Sequence, residues 1–251
     1  MTETRVARVT GIGALACVAL SWLQFPLWVI GEPPSVYDGA GYARHLFDIR
    51  TMALLRVVMD QGIYVGMMVF AAGFRHLVRH ARPESEWLGT LTFGAAAVWL
   101  AVTLVADGLM GGAVLDTLRG DADASAVRAL VMGTVLIYNG SIAFAITGLF
   151  LVSAGWATLD SGVLPRWTGW LAHMAAALCL ISVPAMFSGA VDAAGFYNAG
   201  GWGPAIIANF PPLMWFLVVG VVLIRRARAD ASNFGRGAAA PVGVIVPKGD
   251  G

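Results

Sequence analysis

Six long apolar runs, at 9–30, 52–74, 88–110, 127–153, 167–189 and 204–224, alternate with short polar or glycine-rich stretches along the 251-residue chain. A helix needs roughly 20 apolar residues to cross the hydrocarbon core of a bilayer, so each run is long enough. None shows the apolar/polar alternation, over segments of about ten residues, that marks a transmembrane β-barrel. Helices are then the remaining way to satisfy the backbone in lipid. The pattern predicts an all-α fold, a polytopic transmembrane bundle of six helices spanning 1–226, followed by a disordered tail at 227–251 that is rich in Gly, Ala and Pro and has no periodicity.

Composition strengthens this reading. Hydrophobic residues make up 58% and charged residues 12%, against about half and about a quarter in soluble domains. Mean hydropathy is +0.74. The first run follows Arg5 and Arg8 as a secretory signal would. It is longer than a signal core, contains Trp22 and Trp28, and has no small-residue cleavage pattern before "QFPLWVIGEPP", so it reads as a retained span.

With both termini placed in the cytoplasm, eleven of the sixteen Lys and Arg fall on inner segments. These are Arg5, Arg8, Arg75, Arg79, Arg82, Arg166, Arg225, Arg226, Arg228, Arg236 and Lys248. Arg44, Arg50, Arg56, Arg119 and Arg128 fall on the outer side, among several acids. That asymmetry sets the predicted orientation, with an even number of spans. The first outer loop, "GEPPSVYDGAGYARHLFDIR", is expected to lie on the membrane surface. In the second, an Asp-Ala-Ser run is suited to capping the fourth helix. The third carries Phe196, Tyr197 and Trp202 among glycines, which suits an interfacial position. "TGIGALACVALSWLQFP" from Thr10 and "TGWLAHMAAALCLISVP" from Thr168 both run from Thr-Gly to Pro, a weak echo compatible with duplication.

The stretch "LLRVVMDQGIYVGMMVF" places an arginine, an aspartate and a glutamine inside lipid-compatible sequence. Arg56, Asp60 and Tyr64 follow i, i+4, i+8 and share one helix face, with Gln61 turned away by about 100°. At about 1.5 Å per residue, Asp60 lies on the order of 10 Å below the outer surface. Asp107 lies near the outer end of the third helix and Asn209 early in the sixth, while Tyr138 and Asn139 fall nearer the midplane of the fourth. An outward-facing pocket is expected, formed by Arg56, Asp60, Gln61, Tyr64, Asp107, Tyr138, Asn139, Asn209 and Trp215. A charge within a span is costly and marks a functional candidate by default. The alternative is that Arg56 neutralises Asp60 and the pair fixes helix packing.

The other polar residues have plainer readings. Asp107, followed by "GLMGG", is either a pocket acid or an interfacial residue at a helix end. Asn209 precedes Pro211 and Pro212, so the sixth helix is expected to kink or start late. His76 and His80 are spaced as a metal pair, but the surrounding "RHLVRHAR" makes a basic, lipid-facing surface the better reading. His173 near Trp170 is slender ground for a haem. Most of the nine tryptophans fall near interfaces, and Cys17 and Cys179 read as apolar packing residues. Without a nucleotide loop, zincin motif, Gly-x-Ser-x-Gly elbow or cysteine-pair site, no metal, cofactor or nucleic-acid partner is expected.

The segments "GVLPRWTGWLAHMAAALCLISVP" and "PPLMWFLVVGVVLIRRAR" resemble a broad group of uncharacterised six-span integral membrane proteins from actinobacteria and other bacteria. Leu164, Pro165, Arg166, Trp167, Gly169 and Trp170 carry the likeness, as a helix entry and interface anchor. The resemblance implies the six-span fold and a bacterial cell (inner) membrane location, with no activity attached. The function expected first is binding of a lipid or amphipathic small molecule, with membrane lipids and a hydrophobic ligand as partners. A second possibility follows a distant comparison with integral-membrane terpene cyclases: acid catalysis on an isoprenoid or other lipid by a membrane carboxyl. On that reading Asp107, lacking an evident partner, is the better acid, and Asp60 the weaker because of Arg56. Proton- or ion-coupled transport is a third, disfavoured because the inner half holds little besides His173.

Overall fold

The computed structural model describes residues 3–29, 34–192 and 194–238. Among them the chain is helical, with α1 at Glu3–Val29, α2 at Gly39–Asp48, α3 at Arg50–Ala81, α4 at Glu86–Thr117, α5 at Ala124–Tyr138, α6 at Ser141–Ser161, α7 at Arg166–Ser182 and α8 at Trp202–Ala238. Short 3-10 turns at Pro83–Ser85 and Val183–Phe187 complete the order. Six stretches are long and apolar enough to cross a membrane: α1, α3, α4, the α5–α6 pair, α7 with its 3-10 extension, and α8. The chain is a multi-pass membrane protein built as an all-α bundle.

The predicted spans are recovered, with four differences. The first outer loop contains a helix, α2, whose N-terminus is capped by the Asp38 carboxylate accepting from the Gly41 N–H at 2.9 Å. Only a short amphipathic segment fits between the spans, so a 20-residue apolar window passes over it. Second, α3 continues through "RHLVRHA" to Ala81, a stretch expected to be a connection. Third, the fourth span is two helices. α5 ends at Tyr138, and Gly140 adopts an extended backbone before α6 begins. A Cβ at Gly140 would collide with the Leu136 carbonyl, so glycine permits this break. Fourth, α8 begins at Trp202 and carries Pro211 and Pro212 inside it, and it remains helical to Ala238. Residues 239–251 of the expected tail lie outside the described residues.

The prolines in α8 have a visible local consequence. Pro212 has no N–H to donate to the Ala208 carbonyl four residues earlier. The Cys179 thiol donates to that oxygen instead, at 3.4 Å. Cys17 does the same for the Ile63 carbonyl at 3.4 Å. Both cysteines are free and buried, as packing residues that also act as weak donors.

Small residues let the helices approach. A Cβ on Gly11 of α1 would sit 2.9 Å from the Gly220 carbonyl oxygen of α8, and one on Gly13 would sit 2.8 Å from that of Gly66 on α3. The centre holds an aromatic cluster of Phe70, Phe74, Phe150, Trp215 and Phe216, with ring centroids 4.9–6.4 Å apart. A second buried cluster, including Leu46, Ala53, Val114, Val127 and Val131, joins α2 to the ends of α3, α4 and α5. The Asp123 carboxylate caps α5 through the Ser125 N–H at 2.7 Å, from within the expected run.

The start of α1 and the last membrane turn of α8 share one end of the bundle. His80 Nε2 lies 2.6 Å from the Glu3 carboxylate, which ties the end of α3 to the start of α1. Arg226 donates to the Val163 carbonyl at 2.7 Å. Asp160 at the end of α6 receives Arg82 at 2.9 Å and Ser85 Oγ at 2.5 Å. Gly162 then terminates α6 in a left-handed cap, and Arg166 opens α7. Trp167 and Trp170 of that entry are exposed, in keeping with an anchoring role.

Candidate functional site

Most of the polar side chains inside the spans lie at the other end of the bundle, nearer α2, and they meet across helices rather than along one. Asp107 on α4 is only 4% exposed. Its carboxyl receives the Tyr138 hydroxyl from α5 at 2.5 Å, the Tyr64 hydroxyl from α3 at 2.7 Å and, more loosely, the Gln61 amide at 3.4 Å. The two phenol oxygens lie 2.8 Å apart. Two hydroxyl protons serve at most two of these three short oxygen contacts.

Asp60, one turn before Tyr64, receives the Gln24 amide from α1 at 2.8 Å. The two carboxyls, Asp60 and Asp107, are close enough to interact electrostatically. Arg56 is a further turn back, and its charge acts on Asp60, Tyr138, Tyr42 and Asp107. The guanidinium thus serves the whole cluster and not Asp60 alone. Tyr42 belongs to α2, outside the spans, where burial raises its phenol pKa and the Arg56 charge pulls it down.

A cavity of about 390 Å³ adjoins this cluster. Asp60, Gln24, Tyr64 and Tyr138 form its polar side, with Asn139 at the helix break and Asn209 on α8. Its walls are largely apolar, with rings from Trp22, Phe25, Trp99, Phe150, Phe210 and Phe216 among aliphatic side chains. Trp99 packs edge-on against Tyr64 at 6.1 Å, so one ring of the wall also holds a member of the cluster in place. Trp22, Phe25 and Phe210 pack together with centroids 5.7–6.1 Å apart, and Trp22 and Phe25 are both exposed.

Five of the nine expected pocket residues, Asp60, Tyr64, Tyr138, Asn139 and Asn209, line this cavity. Arg56, Gln61 and Asp107 are not among the lining residues; Asp107 is buried and Gln61 is exposed. Trp215 is fully buried in the aromatic core, where its indole N–H donates to the Thr168 carbonyl at 3.0 Å. The expected partnerless state of Asp107 is not found, because two phenols and an amide converge on it from α3 and α5. It does not lie at the helix end, since α4 continues for ten residues beyond it. Asn209 spends its amide on the Ala205 carbonyl at 2.7 Å.

Sequence reasoning passed over the Gln24–Asp60 bond and the packing of Trp99 on Tyr64, though Trp99 and Phe210 were expected as candidates for an aromatic pocket. The signal for the first was present, a lone amide late in an apolar span, which seeks a partner in lipid. His173 lies between Trp156 and Trp170, with centroids 5.2 and 5.8 Å away, far from the cluster in chain order and on the opposite half of its helix from Cys179.

Fold and site define a class: a six-span helical membrane protein in which a polar cluster from four helices borders an aromatic cavity. The chain matches no protein-family model, no curated protein and no solved structure.

Proposed function

We propose that the protein resides in a bacterial cell membrane and holds a lipid-like or amphipathic small molecule in this cavity, which opens toward the outer side. The orientation follows from the charge asymmetry, which puts the shared end of α1 and α8 in the cytoplasm. The observation that carries the reading is the cavity of about 390 Å³ with aromatic walls and a hydrogen-bonding side. Apolar walls with a few convergent polar groups are the usual composition of a small-molecule site.

A second reading keeps the same occupant and adds chemistry. Asp60 faces a cavity walled by aromatic rings, an arrangement able to protonate an alkene and shelter the resulting cation. Asp107 is the weaker acid candidate because both phenols occupy its oxygens.

Native mass spectrometry with lipid extraction, on protein purified gently from its own host, tests both readings. The expected result is a specific co-purifying molecule that is lost in Asp60→Asn. Bulk phospholipid alone, unchanged by that substitution, would overturn the binding reading. Conversion of that molecule by wild type, and not by Asp60→Asn, to a product separated by chromatography would favour the enzyme, since a cyclisation begun by protonation and ended by proton loss leaves the mass unchanged.

A further inference from the structure

We propose that the occupant of this cavity carries a cationic head on an apolar body, with the head seated against the Asp60 carboxyl. This rests on the binding reading above and names its ligand class. Among the described lining residues Asp60 is the acid, and there is no Lys, Arg or His. A phosphate or carboxylate head would therefore meet a carboxyl without a lining cation to offset it. A cation meets an acceptor that takes the neutral Gln24 amide and lies near a second carboxyl, Asp107.

Arg56 does not reverse this preference, because it is not part of the lining and the cluster on which its charge acts holds two carboxyls, Asp60 and Asp107, against the one guanidinium. The remaining walls suit a cation as well. Trp99, Trp22, Phe25 and Phe210 present ring surfaces, and aromatic faces attract positive charge most strongly where water is excluded. The apolar body has a route as well, since the exposed Trp22–Phe25 edge borders the same cavity and lies on a lipid-compatible surface.

The test uses two ions of matched size and opposite charge, tetraphenylphosphonium and tetraphenylborate. Binding is measured by equilibrium dialysis of the full chain in micelles, against protein-free micelles. Saturable binding of the phosphonium, tighter than the borate by roughly tenfold or more, is expected from a carboxyl in a medium of reduced dielectric. Asp60→Asn should abolish the difference. Asn209→Lys, at an exposed lining position, should shift the preference toward the borate even if the Asp60 variant folds poorly. Equal binding of both ions, borate preference in wild type, or a phosphonium preference indifferent to both substitutions would overturn the charge assignment while leaving the cavity reading in place. Saturable binding of neither ion would overturn the cavity reading and this inference with it.

Discussion

Replacing Tyr64 and Tyr138 by Phe, singly and together, tests whether Asp107 is held by the two phenols. Each substitution keeps the ring and removes one hydroxyl, at 2.7 Å for Tyr64 and 2.5 Å for Tyr138. Hydrogen bonds to charged groups contribute about 1.5–3 kcal/mol in soluble proteins. Bonds between membrane helices average about 0.6 kcal/mol and reach about 1.7. Asp107 is 4% exposed, so little water can replace a lost donor, and the upper part of the membrane range applies. Each single variant should lose about 1–1.5 kcal/mol.

The double variant is the more decisive. After one substitution the remaining phenol still serves the carboxyl. After both, Asp107 retains the Gln61 amide at 3.4 Å, and a buried acceptor left so poorly served costs about 1–3 kcal/mol. The loss should therefore exceed the sum of the singles by about 1 kcal/mol, the signature of a shared partner. Reversible unfolding in mixed micelles measures all four proteins of the cycle. Strict additivity, or single losses below about 0.3 kcal/mol, would refute the arrangement of these three side chains.

Two further outcomes follow from the packing. Gly140→Ala should destabilise by about 1–3 kcal/mol in the same unfolding assay, because the new methyl meets the Leu136 carbonyl, whereas Gly94→Ala, in the middle of α4 with open space around it, should be neutral or stabilising by about 0.5–1 kcal/mol. Trp215→Phe should lose about 1–2 kcal/mol for the indole bond to Thr168 and the vacated volume, yet leave phosphonium binding unchanged, since Trp215 belongs to the core and not to the cavity wall.

The spans were legible because lipid leaves the backbone few options, and a 20-residue apolar run records that constraint directly. The break in the fourth span was not, because Asn139 and Gly140 are two residues in an otherwise apolar run and glycine is common in membrane helices. The packing of the neighbouring residues decides whether such a pair bends, breaks or does nothing. Tyr64 and Asp60 could be placed on one face of α3 by periodicity, and that placement survives. Their partners could not, because Gln24, Asp107 and Tyr138 come from three other helices and their register against α3 is a tertiary fact.

The same limit explains why the roles of the two acids exchange. Read along the chain, Asp60 has a cation one turn away and Asp107 has nothing, so Asp107 looks like the free acid. In the folded bundle the cation is shared among four groups, while α3 and α5 bring phenols to Asp107. Local spacing records only the partners on an acid's own helix. In a bundle where a buried polar group must find its partner on a neighbour, that omits most of its environment. Asp107 therefore acts as the anchor of the cluster. Asp60, with the Gln24 amide from α1 and the cavity beside it, is the carboxyl that lines the cavity.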